Sequence, residues 1–265
     1  MSAIDDLFSQ LRQDNRKALM PFVTAGDPDL DFTAEVIKEL VARGASMCEV
    51  GIPYSDPIAD GPVIQASYTR ALGKKVKLAG ILETLGNVAP QISAPLVTMV
   101  SYAIIYRHGV EKYADQLKQR GIAGMIVPDL PIEEAAQLSK VCKTRDLSLI
   151  QLVTPTTPQD RALKICETSS GFIYYVSVAG ITGERTALPP ELSERVTWLR
   201  EQTPLPVCIG FGISQPEHVK LLAPVADGLI VGSAIVRRMA SAADSDRSAT
   251  LKDIGDYLET LLAAL

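Results

Sequence analysis

Histidine is nearly absent from this chain, with His108 before Gly109 and His218 in a polar, helix-like stretch as its only two examples. Histidine-centred catalysis and histidine metal ligation are therefore poor starting points, because neither residue has a second histidine at ligand spacing. The four cysteines, Cys48, Cys142, Cys166 and Cys208, form no C-x-x-C pair and lie in or beside apolar segments. Buried free thiols are expected, rather than disulfides or a zinc site. No apolar run reaches the roughly 18 residues of a membrane span, and Met1 to Leu11 lacks the basic and apolar regions of a signal peptide. A cytoplasmic protein is expected. An excess of positive charge is also missing: the net charge is -5, which argues against nucleic acid or an anionic membrane as partner. A local basic patch can still hold one phosphate.

What is present is apolar material for a large core, 47% of residues, with 22% charged, the balance of a folded globular chain. Short apolar, β-branched runs recur at Ala18 to Val23, Met47 to Ile52, Pro95 to Val100, Ala123 to Val127, Leu147 to Val153, Phe172 to Val178, Pro206 to Ile209 and Gly228 to Val231. Their near-continuous hydrophobicity suits parallel strands covered on both sides. Between them, helical spacing appears in Val36, Ile37, Leu40 and Val41, in Leu78, Ile81, Leu82 and Leu85, and in Val110, Tyr113, Ala114 and Leu117. Strand and helix in alternation over 265 residues predict an α/β fold, a (β/α)8 barrel forming one domain over 1–265. Ser2 to Asp5 reads as a capping box, and Ile4, Leu7, Phe8 and Leu11 form one apolar face. This extra N-terminal helix is expected to close the bottom of the barrel. Ser241 to Thr250 reads as an exposed connection before a last helix marked by Leu251, Ile254, Leu258, Leu261 and Leu262.

In such barrels, polar residues at the C-terminal ends of strands carry the chemistry. Glu49 lies inside the apolar run Met47-Cys-Glu-Val-Gly-Ile-Pro53, where desolvation pushes a carboxyl pKa upward and lets it carry a proton near neutral pH. Its structural alternative is an ion pair with a distant lysine or arginine. The loop Tyr54-Ser-Asp-Pro-Ile-Ala-Asp-Gly-Pro62 brings Asp56 and Asp60 toward the same mouth. Two carboxyls in different surroundings can divide acid and base roles. Asp60 is equally suited to cap the helix from Val63, and Asp56, before Pro57, to a turn. Gly210-Phe-Gly-Ile-Ser214 and Gly232-Ser-Ala234 end the last two strands, where bare backbone N–H groups and a helix start favour a phosphate. Val178 to Pro189 is a long segment with Gly183 and Arg185, either a lid or an ordinary loop.

These segments together closely resemble the tryptophan synthase alpha subunit family over nearly the whole chain. The most specific piece is Cys48-Glu-Val-Gly-Ile-Pro-Tyr-Ser-Asp-Pro-Ile-Ala-Asp-Gly-Pro-Val-Ile-Gln65. Met20-Pro-Phe-Val-Thr-Ala-Gly-Asp-Pro28, Val127-Pro-Asp-Leu-Pro131, Ala179-Gly-Ile-Thr-Gly183, Gly210 to Ser214 and Gly232 to Val236 follow in the family's order. The resemblance implies reversible retro-aldol cleavage of indole-3-glycerol phosphate, with Glu49 as acid/base residue and Asp60 beside the indole N–H. It implies an indole pocket lined by Phe22 and Tyr174, with Tyr102 nearby, and a phosphate site of Gly183, Phe211, Gly212, Gly232 and Ser233, with Thr182 in the lid. It also implies no cofactor in this chain, an α2β2 assembly with a beta subunit that carries pyridoxal phosphate, and Pro53 and Asp56 toward that partner. Ile104 stands where many relatives carry asparagine, and Val178 where some carry a basic residue. A stand-alone lyase releasing free indole is the alternative within the resemblance. A sugar-phosphate isomerase and a catalytically silent subunit are the alternatives outside it.

Overall fold

The computed structural model describes residues 2–57, 60–177, 190–210, 212–243 and 245–265. Eight parallel strands close into a barrel in sequence order: β1 Ala18–Thr24, β2 Cys48–Gly51, β3 Leu96–Met99, β4 Gly124–Ile126, β5 Ser148–Val153, β6 Ile173–Val176, β7 Val207–Gly210 and β8 Gly228–Val231. Closure comes from β8 pairing back onto β1, Met20 opposite Ile230. All eight predicted strands are found, with ends displaced by a residue or two, the usual uncertainty where a ladder frays. Val178, expected to end the sixth, lies outside the described residues.

The helices that surround the barrel are α1 Ala3–Gln13, α2 Leu30–Ala42, α3 Pro62–Gly73, α4 Leu78–Val88, α5 Tyr102–His108, α6 Val110–Gln119, α7 Ile132–Lys143, α8 Gln159–Thr168, α9 Pro190–Gln202, α10 Pro216–Leu222, α11 Ser233–Ser241 and α12 Arg247–Leu262. Strand alternation divides the apolar residues into two cores. Leu19, Val23, Cys48 and Val50 face outward and pack with Val36, Ile37 and Leu40 of α2. Met20, Val97, Ile126, Ile150, Tyr174, Cys208 and Ile230 fill the inside. Glu49 and Gly51, which alternate with Cys48 and Val50, therefore point inward.

The inside is closed from below by α1. Ser2 accepts from the Asp5 N–H while the Asp5 carboxylate accepts from the Ser2 N–H, the expected capping box. Ser2 also bonds the Ser148 hydroxyl at 2.9 Å, and Ile4, Phe8 and Leu11 are buried, with Phe8 5.9 Å from the Phe172 ring. The last helix differs from expectation at its start. It begins at Arg247, not near Leu251, because Asp246 accepts from the Ser248 N–H and caps it. All four cysteines are free and buried. No helix among the described residues is long and apolar enough to cross a membrane.

Candidate active site

Strand β2 delivers Glu49 into the barrel in register with Phe22 on β1 and Val97 on β3. The residue is 0% exposed, and neither carboxylate oxygen has a hydrogen-bond partner among the described residues. Among the described residues, the ion pair that would have made it structural is not formed. Burial drives the Glu49 carboxyl well above its ordinary value of 4.5.

Asp60 arrives on the loop after β2. Gly61, in extended conformation, is the N-cap of α3 and Pro62 its first residue, with no side-chain cap, so Asp60 does not serve as the cap its sequence position suggested. The Asp60 carbonyl accepts from the Gln65 side chain at 2.7 Å. Partial burial raises the Asp60 carboxyl to about 6. The two acids thus differ in environment: one is sealed, and burial favours its protonated form, while the other is half-buried and shifted only to about 6.

Aromatic rings wall the space between them, and two glycines make room. A Cβ at Gly51 would lie 2.4 Å from the Phe22 ring and 2.7 Å from the Tyr68 hydroxyl; one at Gly210 would lie 2.3 Å from the Tyr174 hydroxyl. Phe22 and Tyr68 pack with Ile64, Val236 and Met99. Burial pushes both phenols, Tyr68 and Tyr174, well up. The Asp60 charge opposes ionisation of both phenols. Tyr102 stands apart at the rim, its hydroxyl donating to Glu134 at 3.1 Å and its N–H to Asp129 at 2.7 Å.

The structure also supplies fixings that sequence patterning did not single out. Thr24 and Ser67 hydroxyls meet at 2.7 Å. Arg70 forks onto Asp27 at 2.9 and 2.6 Å, and Lys74 donates to the Pro28 carbonyl at 2.6 Å. Each ties α3 to the exit of β1. Their only sequence signal is the helical face Ile64, Ser67, Tyr68 and Ala71, which reads simply as packing.

On the far side of the mouth, Gly212 has φ +80 and is exposed, and Gly232 precedes α11 without a side-chain cap. A Cβ on Gly232 would approach Phe22 to 3.8 Å, which places the start of α11, with Ser233 exposed at its first position, beside the aromatic wall. His218 accepts from the Ser214 N–H at 3.3 Å and Tyr257 donates to the Ser214 carbonyl at 3.1 Å, anchoring the loop after β7. Thr182, Gly183, Arg185 and Phe211 lie outside the described residues. Pro53 is buried; Asp56 is exposed and accepts from Ser55 at 2.9 Å. Among the described residues no group of three or more His, Cys, Asp or Glu side chains is arranged to hold a metal ion.

A sequence profile described as "Tryptophan synthase alpha chain" matches residues 8–260. A protein of that name from Rhodopirellula baltica is 56% identical, the match covering 100% of this chain and 99% of the relative, and one from Rippkaea orientalis is 45% identical over 100% and 98%. Among solved structures, tryptophan synthase subunit alpha from Legionella pneumophila superposes with a TM-score of 0.90 at 34% identity, covering 100% of this chain and 98% of that one. A tryptophan synthase structure from M. tuberculosis superposes at 0.88 with 29% identity, covering 100% and 99%. Fold, site and full-length similarity agree: this chain belongs to the tryptophan synthase alpha chain family.

Proposed function

We propose that this chain is the alpha subunit of a tryptophan synthase and cleaves indole-3-glycerol phosphate reversibly to indole and glyceraldehyde 3-phosphate. The observation that carries the reading is Glu49: a fully buried carboxyl on the inward face of β2 whose oxygens have no hydrogen-bond partner among the described residues. A protonated acid in that position can give its proton to the indole ring carbon that bears the glycerol chain. The resulting positive charge on the ring nitrogen is offset by the Asp60 carboxylate. The carbon–carbon bond then breaks, its electrons returning to the ring, while the Glu49 carboxylate takes the hydroxyl proton as the aldehyde forms. Every step uses side chains of this chain and needs no metal or organic cofactor.

Phe22 and Tyr174 supply the walls of the indole pocket and Tyr102 its outer rim. Gly212, Gly232 and Ser233 receive the phosphate, where backbone N–H groups at the start of α11 and its dipole favour an anion; Thr182, Gly183 and Phe211 complete that site. The barrel acts as one cytoplasmic domain and joins a pyridoxal-phosphate-bearing beta subunit in an α2β2 assembly, with Pro53 and the exposed Asp56 on the side that meets it. Indole passes directly to that partner.

Indole release from indole-3-glycerol phosphate, measured on the chain alone and with a tryptophan synthase beta subunit, tests this reading. Weak release that rises strongly with the partner is expected. Fast release that the partner leaves unchanged would identify a stand-alone lyase, and no release in either condition would refute the reaction.

A further inference from the structure

Beyond the end of β7 the chain is held by side chains rather than by the barrel ladder. The Ser214 N–H donates to His218 Nδ1 at 3.3 Å, and the Ser214 carbonyl accepts from the Tyr257 hydroxyl at 3.1 Å. His218 belongs to α10, into which this segment leads, so the first bond is local. Tyr257 belongs to α12, 43 residues further along the chain, so the second fixes the segment against a distant part of the fold.

The ring of the same tyrosine is engaged by a third element. The Arg238 guanidinium of α11 lies over it, 3.6 Å from the ring centre, a cation–π contact. Arg238 also donates to the Ala234 carbonyl, in the first turn of α11, at 3.1 Å. Its Nε faces the Asp253 carboxylate of α12 at 3.2 Å, an ion pair without hydrogen-bond alignment. Tyr257 is 9% exposed, so little water competes for its contacts.

The two segments that meet on Tyr257 are those that carry the phosphate-binding groups. Gly212, in left-handed conformation at φ +80, lies two residues before Ser214, and Gly232 and Ser233 open α11 without a side-chain cap. An anion shared by backbone N–H groups of separate segments is gripped only as well as their spacing is kept by the side chains behind them. We propose that Tyr257 is a positioning residue for the substrate phosphate: its hydroxyl holds the segment after β7 and its face holds α11, so that N–H groups of both converge on one anion. The proposal rests on the phosphate site proposed above. The phosphate is remote from the bond that breaks and is held alike before and during the reaction, so a loosened grip weakens binding and spares turnover.

Tyr257→Phe keeps the ring beneath Arg238 and deletes only the hydroxyl. In the full chain with its beta subunit, KM for indole-3-glycerol phosphate is expected to rise about fivefold with kcat within about twofold. Calorimetric titration of the full chain separates a phosphate effect from a general one. The Kd for glycerol 3-phosphate, which has no indole, should rise by the same factor, and the Kd for indole, which has no phosphate, should stay within about twofold. Arg238→Lys keeps the charge and loses the flat stack, and should show the same selectivity. Unchanged glycerol 3-phosphate binding in Tyr257→Phe, or an equal loss for both ligands, would overturn the proposal; unchanged binding in Arg238→Lys would overturn its α11 half. A wild-type chain that takes indole but not glycerol 3-phosphate would refute the phosphate site itself and the proposal with it. A wild-type chain that binds both yet cleaves no substrate would refute the reaction alone, and the titrations would still decide the role of Tyr257.

Discussion

A carboxyl sealed inside a barrel destabilises the fold most when it is ionised, and Glu49, which has no hydrogen-bond partner among the described residues, is such a group. Its folded pKa lies above the ordinary 4.5, so the native chain holds this proton more tightly than the unfolded chain does. The sign follows by linkage: the associated stability is present below the unfolded value and is lost as pH rises through the folded one. Glu49→Gln carries no titrating proton. Its unfolding midpoint is therefore expected to exceed that of the wild type by a margin that widens as pH rises above the ordinary glutamate value of 4.5, as calorimetry would show. The same variant should release no indole while still binding a substrate analogue, since the amide fills the site but cannot transfer the proton. A margin that narrows as pH rises, or wild-type turnover, would remove Glu49 from the acid role.

At the scale of elements, the loop after β2 depends on α3, and α3 depends on three polar ties to the exit of β1. The strongest is Arg70 on Asp27, where Asp27 is 1% exposed and Arg70 39%. Arg70→Ala leaves a buried carboxylate unpaired; because the arginine itself is partly solvated, the loss should be about 1–3 kcal/mol, below that of a fully buried pair. Since the helix also carries Tyr68 and is preceded by Asp60, kcat should fall together with stability. Denaturant unfolding and turnover on the same protein would check both, and a stable but slow variant would show that the tie serves the site alone. None of these ties was legible beforehand. Strands and amphipathic helices announce themselves through the period of their apolar residues, and Glu49 through being a charge inside such a period. Asp27 with Arg70, and Thr24 with Ser67, are 43 residues apart in the chain, and no local pattern connects them. The start of α12 escaped for a related reason: Asp246 caps a first turn that contains no apolar stripe. Asp60 failed as a cap because Gly61 and Pro62 can start the helix without it.

The molecule as a whole separates its two ends. At one end glycine, carboxyl and phenol groups meet in a mouth lined by strand exits; at the other, α1 seals the inside with Ile4, Phe8 and Leu11. Barrels place chemistry at the first end and stability at the second, and the inner core of Met20, Ile126, Ile150 and Cys208 stands between them. Phe8 is the place to test that separation, since its ring is 3% exposed and meets Phe172 at 5.9 Å. Phe8→Ala should cost about 3–5 kcal/mol through lost burial and the cavity left behind, a fall of roughly 10 °C in the unfolding midpoint for a chain of this size. Below that midpoint kcat and KM for indole release should stay within about twofold of the wild type, because the strands that carry Glu49 and Tyr174 are still tied by their own ladders. A large drop in kcat at a temperature where the variant is folded would mean that packing at the floor reaches the mouth. Paired with Glu49→Gln, which is expected to gain stability and lose all turnover, the two substitutions would then show whether what holds this barrel together and what makes it work are separable properties.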